Sequence, residues 1–97
     1  RLFFGNLSAV EMRLNQELEQ VAGARDLVLV MSAVNLMDAT AVEVFGELNR
    51  ELAERGIRLH LAEVKGPIQD RLMRTELWST LSGEVFLSAN DAFERLR

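Results

Sequence analysis

Leu27-Val28-Leu29-Val30-Met31-Ser32-Ala33-Val34-Asn35-Leu36-Met37-Asp38-Ala39-Thr40-Ala41 is the stretch whose reading decides the fold. Its first five residues are apolar without interruption and rich in branched side chains. Strands exposed on one face alternate apolar and polar residues, whereas strands covered on both faces read as continuous apolar runs, as in parallel sheets. Five residues bounded by Asp26 and Ser32 are too few for a helix, so the run predicts a doubly covered strand. Ser32 to Met37 then reads as a loop. Asp38 is the natural N-cap of a following helix, where a carboxylate accepts from orphaned first-turn amides.

Outward from there, strands and helices alternate. The helix after Asp38 places Ala41, Val44, Phe45, Leu48 and Leu52 on one face, and Gly56 ends it as a C′ glycine. On its other face Glu47–Arg50 and Glu51–Arg55 have the spacing of helix-surface ion pairs. Ile57 to Val64 alternates and predicts a third strand. Pro67 suits the first turn of a helix running to about Thr75 or Leu77. Glu84 to Leu87 reads as a fourth strand, and Ser88 with Asp91 opens a last helix that carries Ala92, Phe93 and Leu96. Upstream, Leu2-Phe3-Phe4 reads as a strand end closed by a Gly5-Asn6 turn. Ser8 and Glu11 form a capping-box pattern before a helix with Val10, Leu14, Leu18, Val21 and Ala22 on one stripe, ended by Gly23. Such alternation predicts an α/β domain with right-handed crossovers wherever the joined strands are parallel.

Composition excludes several function classes. Ninety-seven residues suffice for one domain, and 48% hydrophobic content is that of a globular chain. The longest apolar runs fall far short of the ~20 residues that span a bilayer, so this segment predicts no membrane insertion. The absence of cysteine removes disulfides, thiolate metal sites and a cysteine nucleophile. Eleven basic residues scattered among fifteen acidic ones give a net charge of −4, the reverse of a nucleic-acid binder. The start at Arg1, without an initiator Met or an apolar signal segment, reads as a piece of a longer chain.

Three segments resemble STAS domains, and in particular those of SulP (sulfate-permease type) anion transporters. Val30 to Ala41 is similar to the family's strand–loop–helix core, in which Asp-Ser-Ser/Thr-Gly or Ala opens the helix. Arg1-Leu2-Phe3-Phe4-Gly5-Asn6 resembles the transporter branch's Phe-Phe segment. Glu51 to Pro67, continued by Ile68-Gln69-Asp70-Arg71-Leu72, resembles its "L..rGi.l.la.vkgpv.d.l" segment. The resemblance covers nearly the whole chain, read as a single STAS domain over 1–97. It implies a small mixed β-sheet of about four strands alternating with about four helices packed mainly on one face. It also implies a further N-terminal strand, pairing with the Phe-Phe segment as a hairpin, that this chain starts too late to include.

The function so implied is a non-catalytic regulatory and interaction domain of a transporter for sulfate or bicarbonate. It would lie at the cytoplasmic face of the cell (inner) membrane as part of an integral membrane protein. Its partners would be the transmembrane part of its own transporter, a second copy of itself, or a cytosolic regulatory protein. A free-standing signalling protein of the anti-sigma-factor antagonist type, or a nucleotide-binding STAS module, stays open as an alternative. In the antagonist branch a partner kinase phosphorylates the serine after the loop aspartate, and here that position is Ala39, which has no hydroxyl. Thr40 has one, turned about 100° away on a helix.

Asn35, Leu36, Met37, Asp38, Ala39 and Thr40 form the candidate partner or regulatory surface. Leu36 and Met37 stand outside any periodic stripe; Met37 can staple to Val42, whereas Leu36 has no local partner. Asp38 has its capping role, worth about 1 kcal/mol, and it also places negative charge on the helix N-terminus where an anion would otherwise bind. No Walker-type phosphate loop occurs, and Lys65-Gly66-Pro67 reads as a helix-start turn. His60, the sole histidine, has neither cysteine nor acid–His spacing around it and reads as a structural residue. Trp78 reads as core or subunit-contact packing, with an exposed anchor as the alternative. No catalytic, cofactor-binding or metal-ligating set is expected.

Overall fold

Continuous apolar character makes Leu27 to Val30 the centre of the sheet. A computed structural model of the chain describes residues 2–6 and 23–97. The strands are β1 (Leu2–Asn6), β2 (Asp26–Val30), β3 (Arg58–Ala62) and β4 (Val85–Phe86). They pair in the order β1-β2-β3-β4, and every pairing is parallel. The helices among the described residues are α1 (Ala39–Glu54), α2 (Gly66–Met73), α3 (Glu76–Thr80) and α4 (Ala89–Leu96). The expected helix over Ser8 to Gly23, with its capping box, lies outside the described residues.

The register explains why β2 is apolar throughout. Leu27 pairs with Leu59 and Leu29 with Leu61, and these four point to one face, where Phe45, Leu48 and Leu52 of α1, Ile68 and Leu72 of α2 and Leu77 of α3 cover them. Val28 points to the other face, against Ala62, Phe86 and Ala92 of α4. Three of the described helices thus pack on one face and α4 on the other.

Several element limits differ from the sequence expectation. β1 runs on through Gly5 and Asn6, paired with Leu29 and Val30. A Cβ on Gly5 would stand 3.3 Å from Leu29 Cδ2, so the glycine makes room for a core leucine and does not turn the chain. The third expected helix is broken into α2 and α3 at Arg74-Thr75, with no proline or glycine to mark the break. On one continuous helix Leu77 would face about 140° away from Leu72. The break returns it to the core, where it is 6% exposed. Thr75 Oγ1 donates to the Leu72 carbonyl at 2.6 Å and ties off the first piece. β4 is reduced to two residues, and Leu87 is exposed beyond it. Ion pairs among the described residues do not include Glu47–Arg50 or Glu51–Arg55. They join Arg58 to Asp26 and Glu84, Arg95 to Glu84 and Arg97 to Glu94. The expected helix pairs stay solvated, as exposed pairs worth little often do.

Both ends of α1 follow their sequence signals. Asp38 Oδ1 accepts from the Ala41 amide at 2.8 Å. At the other end Gly56 is left-handed (φ 75°) and its N–H reaches the Ala53 carbonyl, while the Ile57 N–H reaches that of Leu52. This is the Schellman pattern, closed by two buried side chains, Leu52 and Ile57.

Candidate functional site

Parallel pairing gathers the loops that follow β2, β3 and β4 at one edge of the sheet. The first, Met31 to Asp38, is pegged at every third position. Met31, Val34 and Met37 are 0%, 3% and 5% exposed. The Met31 N–H bonds to the Ala62 carbonyl at 2.9 Å, and the Val34 N–H to the Met31 carbonyl at 3.0 Å. Pegs at that interval fix what lies between them. Leu36 is held outward at 75% exposure. Met37 joins the main core with the half-buried Val42 packed against the same cluster, which accords with the staple expected for it. Asn35, Asp38, Ala39 and Thr40 are exposed.

The loop after β3 is tied to its neighbours on both sides. Lys65 Nζ donates to Asn35 Oδ1. Glu63, left-handed at φ 58°, turns its carboxylate so that Oε2 accepts from the Ala89 amide at 3.0 Å, the first residue of α4. Ser88 Oγ caps the same helix by accepting from the Asp91 amide at 3.0 Å. Asn35, Leu36, Asp38, Lys65 and Leu87 therefore share one edge. Leu87, 89% exposed, belongs to this surface and was not singled out from the sequence. Its signal was present only as an apolar residue at the predicted end of a strand.

Little in this edge cradles a small ligand. In doubly wound sheets ligands sit where the strand order reverses and crossovers leave to opposite faces. The order here runs from β1 to β4 without reversal, and the crossovers through α1 and through α2 with α3 leave to the same face. Asp38 holds the α1 N-terminus. Among the described residues no cluster of His, Asp or Glu could hold a metal ion, and no helix is long and apolar enough to cross a membrane.

Two buried polar centres lie within the fold: His60, read from the sequence as a structural residue but without its partner, and Asn49, which was not singled out. His60 is 0% exposed; its Nε2 lies 2.7 Å from Asp26 Oδ1 and its Nδ1 accepts from the Glu84 amide at 2.9 Å. Asp26 carried no motif, and only the parallel register sets it two residues from His60 across the pair of strands. With both ring nitrogens engaged and the imidazole wholly buried, His60 is not placed for proton transfer to a substrate. Asn49, 6% exposed on the apolar side of α1, is the second centre. Its Nδ2 donates to the Thr80 carbonyl at 2.9 Å, and its Oδ1 accepts from Ser82 N–H and Oγ–H, both at 3.1 Å. Ser82 Oγ in turn accepts from the Leu59 amide at 2.9 Å. Trp78 is half-buried against the main core.

The fold and its loop edge are those of a STAS domain, and the STAS domain family model matches residues 1–94: the chain belongs to that family. Its structure is similar to the STAS domain of a SulP transporter from Vibrio cholerae, with a TM-score of 0.81 and 20% identity, over 97% of this chain and 79% of that one. At that identity the likeness is one of fold. No curated protein matches the sequence.

Proposed function

We propose that this STAS domain is a non-catalytic regulatory and docking module of a SulP-type secondary anion transporter, carried at the cytoplasmic face of the membrane. It makes its contacts through the loop from Asn35 to Thr40. The observation that carries the docking surface is Leu36, held outward by buried residues before and after it in a loop that has no reason of its own to expose a leucine. An apolar side chain held outward on a fixed loop offers surface that a partner can bury. The transporter assignment rests on the Phe-Phe-Gly-Asn and Lys65-Gly66-Pro67 segments and on the fold shared with the Vibrio cholerae domain. The transmembrane part of the same transporter is the first partner; a second copy or a cytosolic protein would use the same loop. A preceding strand would pair with β1, which stands at the edge of the described sheet and would otherwise present open backbone groups. Ala39, exposed at the first position of α1 and lacking a hydroxyl, speaks against the phosphorylation switch of the antagonist branch.

Leu36→Glu tests the proposal. In the full-length transporter it is expected to weaken association of the domain, read by cross-linking or co-purification, and to alter anion flux. Circular dichroism of the domain should stay unchanged. Unfolding by this substitution, or full association and flux in its presence, would remove the loop from the contact surface.

A further inference from the structure

His60 is the one titratable side chain among the described residues that is wholly sealed from solvent, and its hydrogen bonds fix its protonation state. A backbone N–H can only donate, so the 2.9 Å bond from the Glu84 amide requires a bare lone pair on Nδ1. The ring's proton is then on Nε2, donated to Asp26 Oδ1 at 2.7 Å. Neutral imidazole fits this site. Imidazolium would bring an Nδ1–H against the Glu84 N–H, two donors facing each other where no water reaches.

The bond at Nδ1 holds a thin piece of structure. Gly83 N–H bonds to the Leu59 carbonyl at 3.0 Å and Leu61 N–H to the Glu84 carbonyl at 3.0 Å. Beyond them β4 pairs with β3 through two residues only. Gly83 lies so close that an added Cβ would stand 2.8 Å from His60 Cε1. We infer that His60 is a proton-operated latch: neutral, it fastens the Ser82–Glu84 turn and β4 to β3; taking up a second proton, it releases them.

Of the charged groups around the ring, Arg58 favours this direction and Asp26 opposes it. From β2, Asp26 attracts an imidazolium, but its carboxylate already faces Arg58 Nε at 3.7 Å and keeps its bond to Nε2–H in either state. From β3, Arg58 repels a second positive charge. Glu84, before β4, is shared between Arg58 and Arg95 of α4, each at 3.8 Å. The Phe86 ring lies 5.6 Å from the imidazole and carries no charge. Against these exposed or shared charges stands the outright loss of a buried hydrogen bond and its replacement by a donor–donor contact. Release is local, because Glu63 still holds the α4 N-terminus. Leu87 lies between β4 and α4, so the latch also governs the surface beside Leu36, although it does not depend on the docking proposal.

Amide hydrogen exchange of the 97-residue chain tests the latch, with rates normalised to the intrinsic rate at each pH. Opening coupled to uptake of one proton lowers protection at Leu61, Gly83 and Glu84 by up to about tenfold per pH unit on acidification. Protection of the Met31 amide, bonded to Ala62 on the far side of β3, should stay flat. His60→Gln offers an amide oxygen to the Glu84 N–H without a titration, so its protection at the same amides should lose the pH dependence. Asp26→Asn should keep it. Imidazole nitrogen NMR of the unaltered chain gives an independent reading: the neutral form protonated at Nε2 at neutral pH. Protection that is flat or rises on acidification, an equal slope in His60→Gln, or a proton resident on Nδ1 at neutral pH would each overturn the latch.

Discussion

Gly83 is where one added methyl group would do most harm. A Cβ there would overlap the Leu59 carbonyl oxygen and press on the His60 ring. The carbonyl is backbone in the strand next to the sheet centre, and the ring is clamped at both nitrogens, so neither can step aside. Gly83→Ala is expected to cost about 3 kcal/mol, the upper range for overpacking, read as a lower urea midpoint with unchanged slope. Gly46, inside α1, is the control: nothing lies within 4 Å of its missing Cβ. Gly46→Ala should stabilise by about 0.5–1 kcal/mol, because alanine costs less chain entropy in a helix. A destabilised Gly46→Ala or a neutral Gly83→Ala would contradict this account of the two sites. Neither glycine announced its role in the sequence. One sits inside a helical run and the other in a Ser-Gly pair, a common turn signal.

At the scale of elements, α1 is joined to the α3–β4 connection by polar chemistry as well as by packing. Asn49→Ala would leave the Thr80 carbonyl and the Ser82 N–H and O–H without their partner in a half-dry place. Unmet groups of this kind cost about 1–3 kcal/mol each, less whatever water can recover, so a loss of about 3 kcal/mol is expected from denaturant unfolding. Ser82→Ala, which frees fewer groups, should cost less; the reverse ranking would mean that Asn49 is not the hub. The ends of α1 were legible because caps are local: Asp38 and Gly56 act within four residues of themselves. β2 was legible because burial on two faces writes itself as an unbroken apolar run. The α2–α3 break was not, since it is imposed by the core's demand for Leu77 and not by any residue at 74–75. The apparent alternation of β3 misled for a related reason. His60 looks polar in sequence but is buried, its polarity satisfied by Asp26 and Glu84, which lie 34 and 24 residues away in the chain. Of the candidate site, the loop and its cap could be read in advance. The partners Lys65, Glu63 and Leu87 could not, because only parallel register brings them to the same edge.

For the whole molecule, the direction in which the strands run decides what kind of surface it offers. Among the described residues the strand order never reverses, and reversal is where α/β sheets open a crevice for small ligands, so millimolar sulfate or nucleotide should not raise the melting temperature. A ligand at a hundred times its dissociation constant would add roughly 2.7 kcal/mol, several degrees for a domain this small, and such a rise would restore a ligand-binding role. Under the proposed docking role, this edge is the contact surface for a macromolecule. Leu36 follows β2 and Leu87 follows β4, with one strand between them, so the two strand ends stand about 10 Å apart, within reach of one partner helix or loop. Burying a leucine fully is worth about 1.5–3 kcal/mol, so each exposed leucine can contribute a tenfold or greater change in affinity when a partner covers it. Leu36→Glu and Leu87→Glu should therefore each weaken docking to the transporter, or self-association measured by light scattering, by about tenfold or more. Neither should lower the unfolding midpoint appreciably, since both side chains stand in solvent at 75% and 89% exposure. If one partner covers both, the double variant should lose less than the sum of the single losses, because the first glutamate already lifts the partner from the edge. Full additivity would place the two leucines in separate contacts, and an unchanged Leu87→Glu would confine the surface to the loop from Asn35 to Thr40.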